Sequence, residues 1–585
     1  MIRFNSRNSY FKAPFGAVET DAEVKFRILV SRRVGAMSVS IVFEGERGFR
    51  LPLSFSGTEG IYEEYSLTTT IDHEGLYFYR FEIEDVNGNT VYVGKNYFGN
   101  AEISPIAPWW KLTVYKNTFD AAKTFAGQNI YQIFPDRFCS LGKLNTEKHK
   151  NIKAWGELPN HTREADGSLD TTDFFGGNFK GIQSKLDYLF NLGIRVIYLN
   201  PIFEAATNHR YDTGDYEKID TLLGTEEDFR EFCAEAKKHG IKVILDGVFS
   251  HTGSDSKYFN QYGNYDNLGA YQSQESEYSS WFKFKNWPDE YDCWWGVKIL
   301  PETNESEPAY LSYITGENGI ARKWLRAGAS GWRLDVADEL PDEFLEKFRA
   351  AVKEENNDAL IIGEVWENAA DKISYDQRRR YLHGNQLDSV MNYVFRNAVI
   401  DFMRDGNADR LKNSVLEICE DYPTPVLHTL MNFLGTHDTE RIKNILGSET
   451  SVCLAYALLA FLPGLPTIYY GDEVGMDGGK DPLNRLCFPW NDEEKPITDF
   501  FRKINNIRLE LNCLKDGTFS PVITDKDLFG FYRVSKTEKC LFVINISDES
   551  KNLPDIIEKG TDIISGKIIK KGSILQGKQF IVIKY

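Results

Sequence analysis

The sequence predicts an α/β protein: a (β/α)8 barrel with a lid inserted after its third strand and a small β-sandwich at each end. Three observations carry this. The chain has 585 residues, too many for one compact domain. Its two ends alternate apolar and polar residues with the period of strands. Its middle alternates short apolar strands with helical stretches, the pattern of βαβ units and a parallel sheet. Eight strands over nearly 400 residues suit a closed TIM barrel with an insertion better than an open sheet.

The first block, residues 1–116, reads as strands. Glu23–Val30 places Val24, Phe26, Ile28 and Val30 on one side. Leu76–Ile83 and Thr90–Val93 flank Asn87-Gly88, expected as a hairpin turn with both central residues at positive φ. A Pro/Trp stretch from Ser104 leads out of it. In the middle block, residues 117–512, strands are expected near Tyr131, Ile197, Ile244, Arg333, Ile362, Val390, Met431 and Ile468. Gly193, Gly240 and Gly328 fall where helices should end, as a left-handed position after the last turn prefers. Residues 247–315 show no strong helical period, only Trp, Tyr, Asn and Pro; these are the lid. Its rings suit a packed core and a sugar-covering surface equally. His239 is expected to complement a helix dipole, Leu454–Leu462 to be a buried helix, and Lys143–Lys153 to be a solvated face. The last block, residues 513–585, returns to alternation at Leu541–Ile546 and Phe580–Tyr585.

Composition narrows the partners. The net charge is −18, which disfavours nucleic acid and anionic membranes. No apolar run reaches the ~18 residues of a membrane span, and the first residues lack the apolar core of a secretory signal. The eight cysteines stand singly, with no C-x-x-C pair, as in a reducing cytoplasm. No Walker loop, dinucleotide fingerprint or H-E-x-x-H occurs, so no cofactor and no metal centre is expected.

Chemistry in a parallel barrel collects at the C-terminal strand ends, and four of them carry polar residues that strands do not need. The third ends in Asp246 and runs on to His251. The fourth is Gly331-Trp-Arg-Leu-Asp335, the fifth Ile361-Ile-Gly-Glu364-Val-Trp366, and the seventh leads to His437-Asp438. A single acid after a strand is usually a cap. Four acids and two histidines on one rim are not, because unpaired buried charge is not tolerated without partners or use. Carboxylates and an arginine, without nucleophilic cysteine or phosphate loop, suit glycoside hydrolysis around an oxocarbenium-like transition state. Arg333, two residues before Asp335, points to the same face and would hold that carboxylate ionised. Glu364, beside Gly363, Val365 and Trp366, has the drier setting of a general acid.

The D-x-x-x-x-H, G-x-R-x-D, G-E-x-W and H-D segments, in this order, resemble the α-amylase family of retaining glycoside hydrolases. Tyr131–Phe138 (YQIFPDRF), His209–Tyr216 (HRYDTGDY) and Ser389–Tyr393 (SVMNY) resemble its neopullulanase, cyclomaltodextrinase and maltogenic amylase branch. The resemblance implies Asp335 as nucleophile, Glu364 as acid/base and Asp438 as the carboxylate that stabilises the transition state. It implies that His251 and His437 bind the sugar at the cleavage point, Arg333 orients the nucleophile and Tyr211 stacks on the sugar. Asp481 and Arg485 match a pair on the non-reducing side, and Trp366 lies on the aglycone side. The implied substrates are cyclodextrins, pullulan, maltooligosaccharides and starch fragments, cleaved at α-1,4 bonds; the sequence leaves open whether α-1,6 bonds are cleaved beside them. The implied partner is a second copy, through the N-terminal domain. A glucanotransferase would use the same residues; a non-catalytic glucan-binding relative would lose the acids.

The sequence departs from the family's pattern at four places. Ser250 replaces the usual Asn, Asp338-Glu339 replaces Asn-Glu, and Leu300–Glu305 matches the branch's lid signature loosely, after an unusual Trp294-Trp295 pair. Many relatives carry a calcium loop after the first strand. Here Lys143, Lys148, Lys150 and Lys153 occupy that stretch, Glu147 and Asp173 are the only acids near, and the pair Gly176-Gly177 is followed by Asn178. No calcium requirement is expected.

Overall fold

The computed structural model describes all residues except 144–150, 163–168, 556 and 558. They form two compact units. One joins Met1–Asp120 with Asn368–Gln386 and Lys412–Leu427; the other holds Ala121–Glu367, Leu387–Leu411 and His428–Tyr585.

In the first unit, a five-stranded and a seven-stranded sheet share one core. Val24–Ser31 supplies Val24, Phe26, Ile28 and Val30 to it, all fully buried. Gly75–Asp85 runs antiparallel to Thr90–Lys95 as the alternation predicts. The turn between them differs from expectation. Gly88 has φ 79°, whereas Asn87 does not enter the left-handed region. The Asp85 carboxylate accepts the Asn87 and Asn89 N–H groups at 2.8 and 2.9 Å and so fixes a longer turn. A buried lysine is one of the residues that tie the two later segments to this unit, and Arg7, paired with Glu420 at 2.9 Å, is another. Lys111 Nζ pairs with Asp421 at 2.5 Å and Asp371 at 3.1 Å, and Thr113 Oγ1 donates to the Asp421 carbonyl at 2.6 Å.

The second unit is built on eight parallel strands: β1 (Ile130–Ile133), β2 (Val196–Leu199), β3 (Lys242–Gly247), β4 (Gly331–Leu334), β5 (Leu360–Gly363), β6 (Ser389–Val390), β7 (Met431–Phe433) and β8 (Leu465–Tyr469). The sheet runs β6-β5-β4-β3-β2-β1-β8-β7. A parallel bridge from Met391 to Met431, with the Asn392 N–H donating to the Met431 carbonyl at 2.8 Å, closes it into the expected barrel. The strands are apolar because both faces are covered, the inner by Val196, Tyr198, Ile244, Ile362 and Phe433. Helix Glu449–Phe461, apolar nearly all round, is buried between β7 and β8. The C-terminal residues form a four-stranded antiparallel sheet, Thr518–Asp525, Leu528–Val534, Lys539–Asn545 and Gln579–Lys584, with two small ladders.

The insertion after β3 is mostly irregular but ends in a helix, Pro308–Thr315, which the periodicity does not show. Glu307 caps it and Pro308 begins it; the turn chemistry specifies the helix where the apolar pattern is mute. Its rings divide between both readings. Trp281 is buried against Tyr258 at 5.3 Å, while Trp295 is 78% exposed. Lys153 is no solvated residue: Nζ donates to the Leu158 carbonyl at 3.0 Å and Asn160 Oδ1 at 2.8 Å. Residues 144–150 of that stretch, including Glu147, Lys148 and Lys150, lie outside the described residues.

Candidate active site

Asp246, Arg333, Asp335 and Glu364 follow from strand register. Asp246 pairs with Arg333 across β3 and β4, and Arg333 with Ile362 across β4 and β5. The adjacent C-terminal ends therefore bring all four together. Arg333 is fully buried and serves three carboxylates. Nη1 lies 2.7 Å from Asp246 Oδ1 and 2.7 Å from Asp335 Oδ1, and Nη2 lies 2.8 Å from Glu364 Oε2. The guanidinium is thus shared rather than reserved for Asp335, a difference from the sequence reading. Its planar fork can address several oxygens at once. Burial raises Asp335 well above the ordinary carboxylate range; Arg333 opposes this, while Glu364 and Asp246 add repulsion.

Glu364 is held by two hydrogen-bond donors and one cation. Oε2 accepts the Val336 N–H at 2.9 Å besides facing Arg333, and Oε1 accepts Trp366 Nε1–H at 3.1 Å. Trp366 is not the dry wall expected. It is 48% exposed, with its ring stacked on Tyr393 at 4.1 Å.

A second network surrounds His437. Gln132 Nε2 and Asn200 Nδ2 donate to Nδ1 at 2.9 and 3.1 Å, which assigns the hydrogen to Nε2. Nε2 lies 2.6 Å from the Tyr211 hydroxyl and 3.1 Å from Asp438 Oδ2. The Tyr211 hydroxyl donates onward to Asp246 Oδ2 at 2.8 Å, where the Tyr198 hydroxyl also donates at 2.6 Å. The Tyr211 ring lies nearly parallel to His437, 6° apart. Burial and the cations Arg485 and Arg333 hold His437 well below its ordinary range, so it is neutral. Burial likewise lowers His251 to about 4. His251 Nδ1 meets Ser250 Oγ at 3.0 Å; Nε2 has no hydrogen-bond partner among the described residues. Its ring lies 5.6 Å from Trp294, which stacks on Trp295.

Asp438 is the most open of the three acids named from sequence, with a side chain 33% exposed against 10% for Asp335 and 4% for Glu364. Burial raises it, and Arg485 and Arg333 oppose. Arg485 spans Asp438 (3.5 Å) and Asp481 (3.0 Å), and its Nε donates to the His437 carbonyl at 2.9 Å. Nine of the ten residues named from sequence are joined by these contacts; His251, buried after β3, contacts Ser250 and Trp294 instead. Gln132, Tyr198, Asn200 and Val336 were not named. A glutamine within the apolar β1 and an asparagine directly after β2 were the available signals for two of them.

These carboxylates on a parallel barrel define the class, and the sequence places the chain in it. Residues 132–506 match the α-amylase catalytic domain. The chain belongs to the α-amylase family. It is 36% identical, over 99% of its length, to an amylopullulanase of Thermoanaerobacter thermohydrosulfuricus, of which it spans 44%. It thus spans less than half the length of that curated relative. It is 33% identical to a cyclomaltodextrinase of Thermoanaerobacter pseudethanolicus, covering 90% of this chain and 88% of the relative. Among solved structures it is similar to the cyclic α-maltosyl-(1→6)-maltose hydrolase of Arthrobacter globiformis, with TM-score 0.70, 29% identity, and 80% and 100% of the two chains covered.

Proposed function

We propose that the protein is a retaining hydrolase of α-1,4-glucosidic bonds, and also of α-1,6 bonds, in cyclodextrins, pullulan, maltooligosaccharides and starch fragments. The observation that carries this is the single Arg333 guanidinium contacting both Asp335 and Glu364. A retaining enzyme needs two carboxyl groups close together, ~5–5.5 Å apart, one nucleophilic and one protonated. In the proposed reaction the Asp335 carboxylate attacks the anomeric carbon while Glu364 gives its proton to the glycosidic oxygen, so the leaving sugar departs neutral. Water then attacks the glycosyl–Asp335 ester, and Glu364 takes the proton back. Asp438, His437 and His251 would hold sugar hydroxyls, Tyr211 would stack on the ring, and Asp481 and Arg485 would bind the non-reducing side. Trp366 is assigned to the aglycone side. Proton NMR of the first product from maltotriose tests the stereochemistry. The α-anomer is expected, and a β-anomer would refute retention. Product analysis on cyclodextrin, pullulan and starch, side by side, separates hydrolysis from glucanosyl transfer and ranks the bonds cleaved.

Among the described residues, the loop's oxygen donors are engaged elsewhere, which supports a loop that needs no calcium. That ion takes six to eight hard oxygens with carboxylates for charge. Asp173 already faces Arg137 (3.7 Å) and Lys153 (3.6 Å), and accepts Asn208 Nδ2 at 2.8 Å. Asn178 Oδ1 caps a helix through the Gly181 N–H at 2.8 Å. Independence from calcium is part of the proposal. So are a homodimer through residues 1–116 and a cytoplasmic setting. Exposed apolar residues such as Ile106 support the first, and eight cysteines outside any disulfide support the second. Ile106→Glu should then lower the mass found by light scattering to that of one chain and raise starch activity relative to cyclodextrin; an unchanged mass would remove that surface from the proposal.

A further inference from the structure

We propose that Val336 is a positioning residue whose left-handed backbone turns its N–H onto Glu364 Oε2, leaving Oε1 as the oxygen that delivers the proton. This rests on the reading of Glu364 as acid/base. Val336 has φ 35°, which a β-branched residue adopts only against a steric penalty. Such strain persists where the surroundings over-determine it, and it gathers at functional sites. The surroundings here do so. The Asp335 N–H donates to the Gly247 carbonyl at 3.0 Å, Glu364 N–H to the Leu334 carbonyl at 3.0 Å, and Ala337 N–H to the Glu364 carbonyl at 3.2 Å. The Glu339 N–H closes the turn on the Val336 carbonyl at 2.8 Å. Val336 is thus the hinge of a backbone clamp between β4 and β5, and its one unshared donor points at the carboxylate, 2.9 Å away. Arg333 Nη2 lies against the same oxygen at 2.8 Å. The Val336 hydrogen bond and the facing guanidinium charge reserve Oε2 as acceptor. Oε1, with only the indole of the half-exposed Trp366 at 3.1 Å, is free to carry hydrogen toward a glycosidic oxygen.

An ester in place of the 335–336 peptide bond deletes that N–H alone. Turnover of maltotriose, whose leaving sugar must be protonated, should fall at least tenfold. Turnover of α-maltosyl fluoride, whose leaving group needs no proton, should fall less than threefold. Equal losses on both substrates, or wild-type turnover of maltotriose, would overturn the proposal. If the ester enzyme does not fold, Val336→Gly decides: it keeps the N–H and relieves the φ, so its Tm should rise while maltotriose turnover falls less than tenfold. A lowered Tm would mean no strain is stored there. Glu364→Gln separates this proposal from its foundation. If that variant loses the first-turnover release of fluoride, the acid/base reading falls and the proposal with it.

Discussion

Asp335 is asked to be a buried anion, and the surrounding groups only partly favour that form. Burial pushes its carboxyl well above the ordinary range, and Arg333 is shared with two other acids. Two expectations follow in opposite directions. Asp335→Asn should abolish turnover yet raise Tm by a degree or more, since it removes a desolvated charge while Arg333 keeps Asp246 and Glu364; calorimetry checks this, and a large fall in Tm would contradict it. The pH–rate profile carries the second. Lowering the pH protonates the nucleophile, and because its pKa is raised, the acid limb of kcat/KM should lie well above pH 3.8. Arg333→Lys loses the fork that opposes the rise, so the limb should move further up with kcat reduced at least tenfold. The acids themselves were legible, because polar residues ending apolar strands have no structural reason to be there. Val336 was not, because a backbone dihedral leaves no trace in residue type; a valine at φ 35° is the residue propensity argues against. The sharing of Arg333 also lay beyond the sequence, since it depends on the register of three strands.

Among the elements, the loop after β1 shows why paired glycines stand at residues 176 and 177. Asp136 is fully buried, pairs with Arg137 Nε at 2.7 Å, and accepts the Phe175 and Gly176 N–H groups at 3.1 Å each. Gly176 needs φ 77°, and Gly177 approaches so closely that a Cβ would lie 2.0 Å from the Pro135 carbonyl oxygen. Gly177→Ala must therefore displace backbone, at about 1–3 kcal/mol, and thermal denaturation should show a Tm lower by several degrees. An unchanged Tm would mean the loop relaxes freely. The glycines were legible as a pair, but their use was not: close approach is a tertiary fact. The helix at Pro308–Thr315 was missed for another reason. Eight residues hold barely two turns, too few for an apolar period to emerge, and its specification lies in Glu307 and Pro308.

For the whole molecule, the alternation of strands and helices was enough to read the barrel, since strands buried on both faces are short apolar runs set between helical stretches. The grouping of Asn368–Gln386 and Lys412–Leu427 with the N-terminal residues was not legible. It rests on tertiary contacts such as those of Lys111, which reads as an ordinary strand residue and proves to be buried with Asp421 and Asp371, and of Arg7, which pairs with Glu420. Removing residues 1–116 would strand those acids without their cation, so truncation does not test the N-terminal sandwich cleanly. Global stability also bears on the proposed calcium independence of the loop after β1. Arg137 and Lys153 already neutralise Asp173, so a chelator should shift the Tm by less than a few degrees, and a larger drop reversed by calcium would contradict this. The central claim is that Asp335 becomes glycosylated while Glu364 moves the proton. Mass spectrometry of peptides from Glu364→Gln enzyme quenched during reaction with α-maltosyl fluoride tests it most directly: a maltosyl adduct on the peptide holding Asp335, and absent from the Asp335→Asn, Glu364→Gln double variant, is the predicted result, whereas fluoride release with no adduct, or an adduct on another residue, would contradict it.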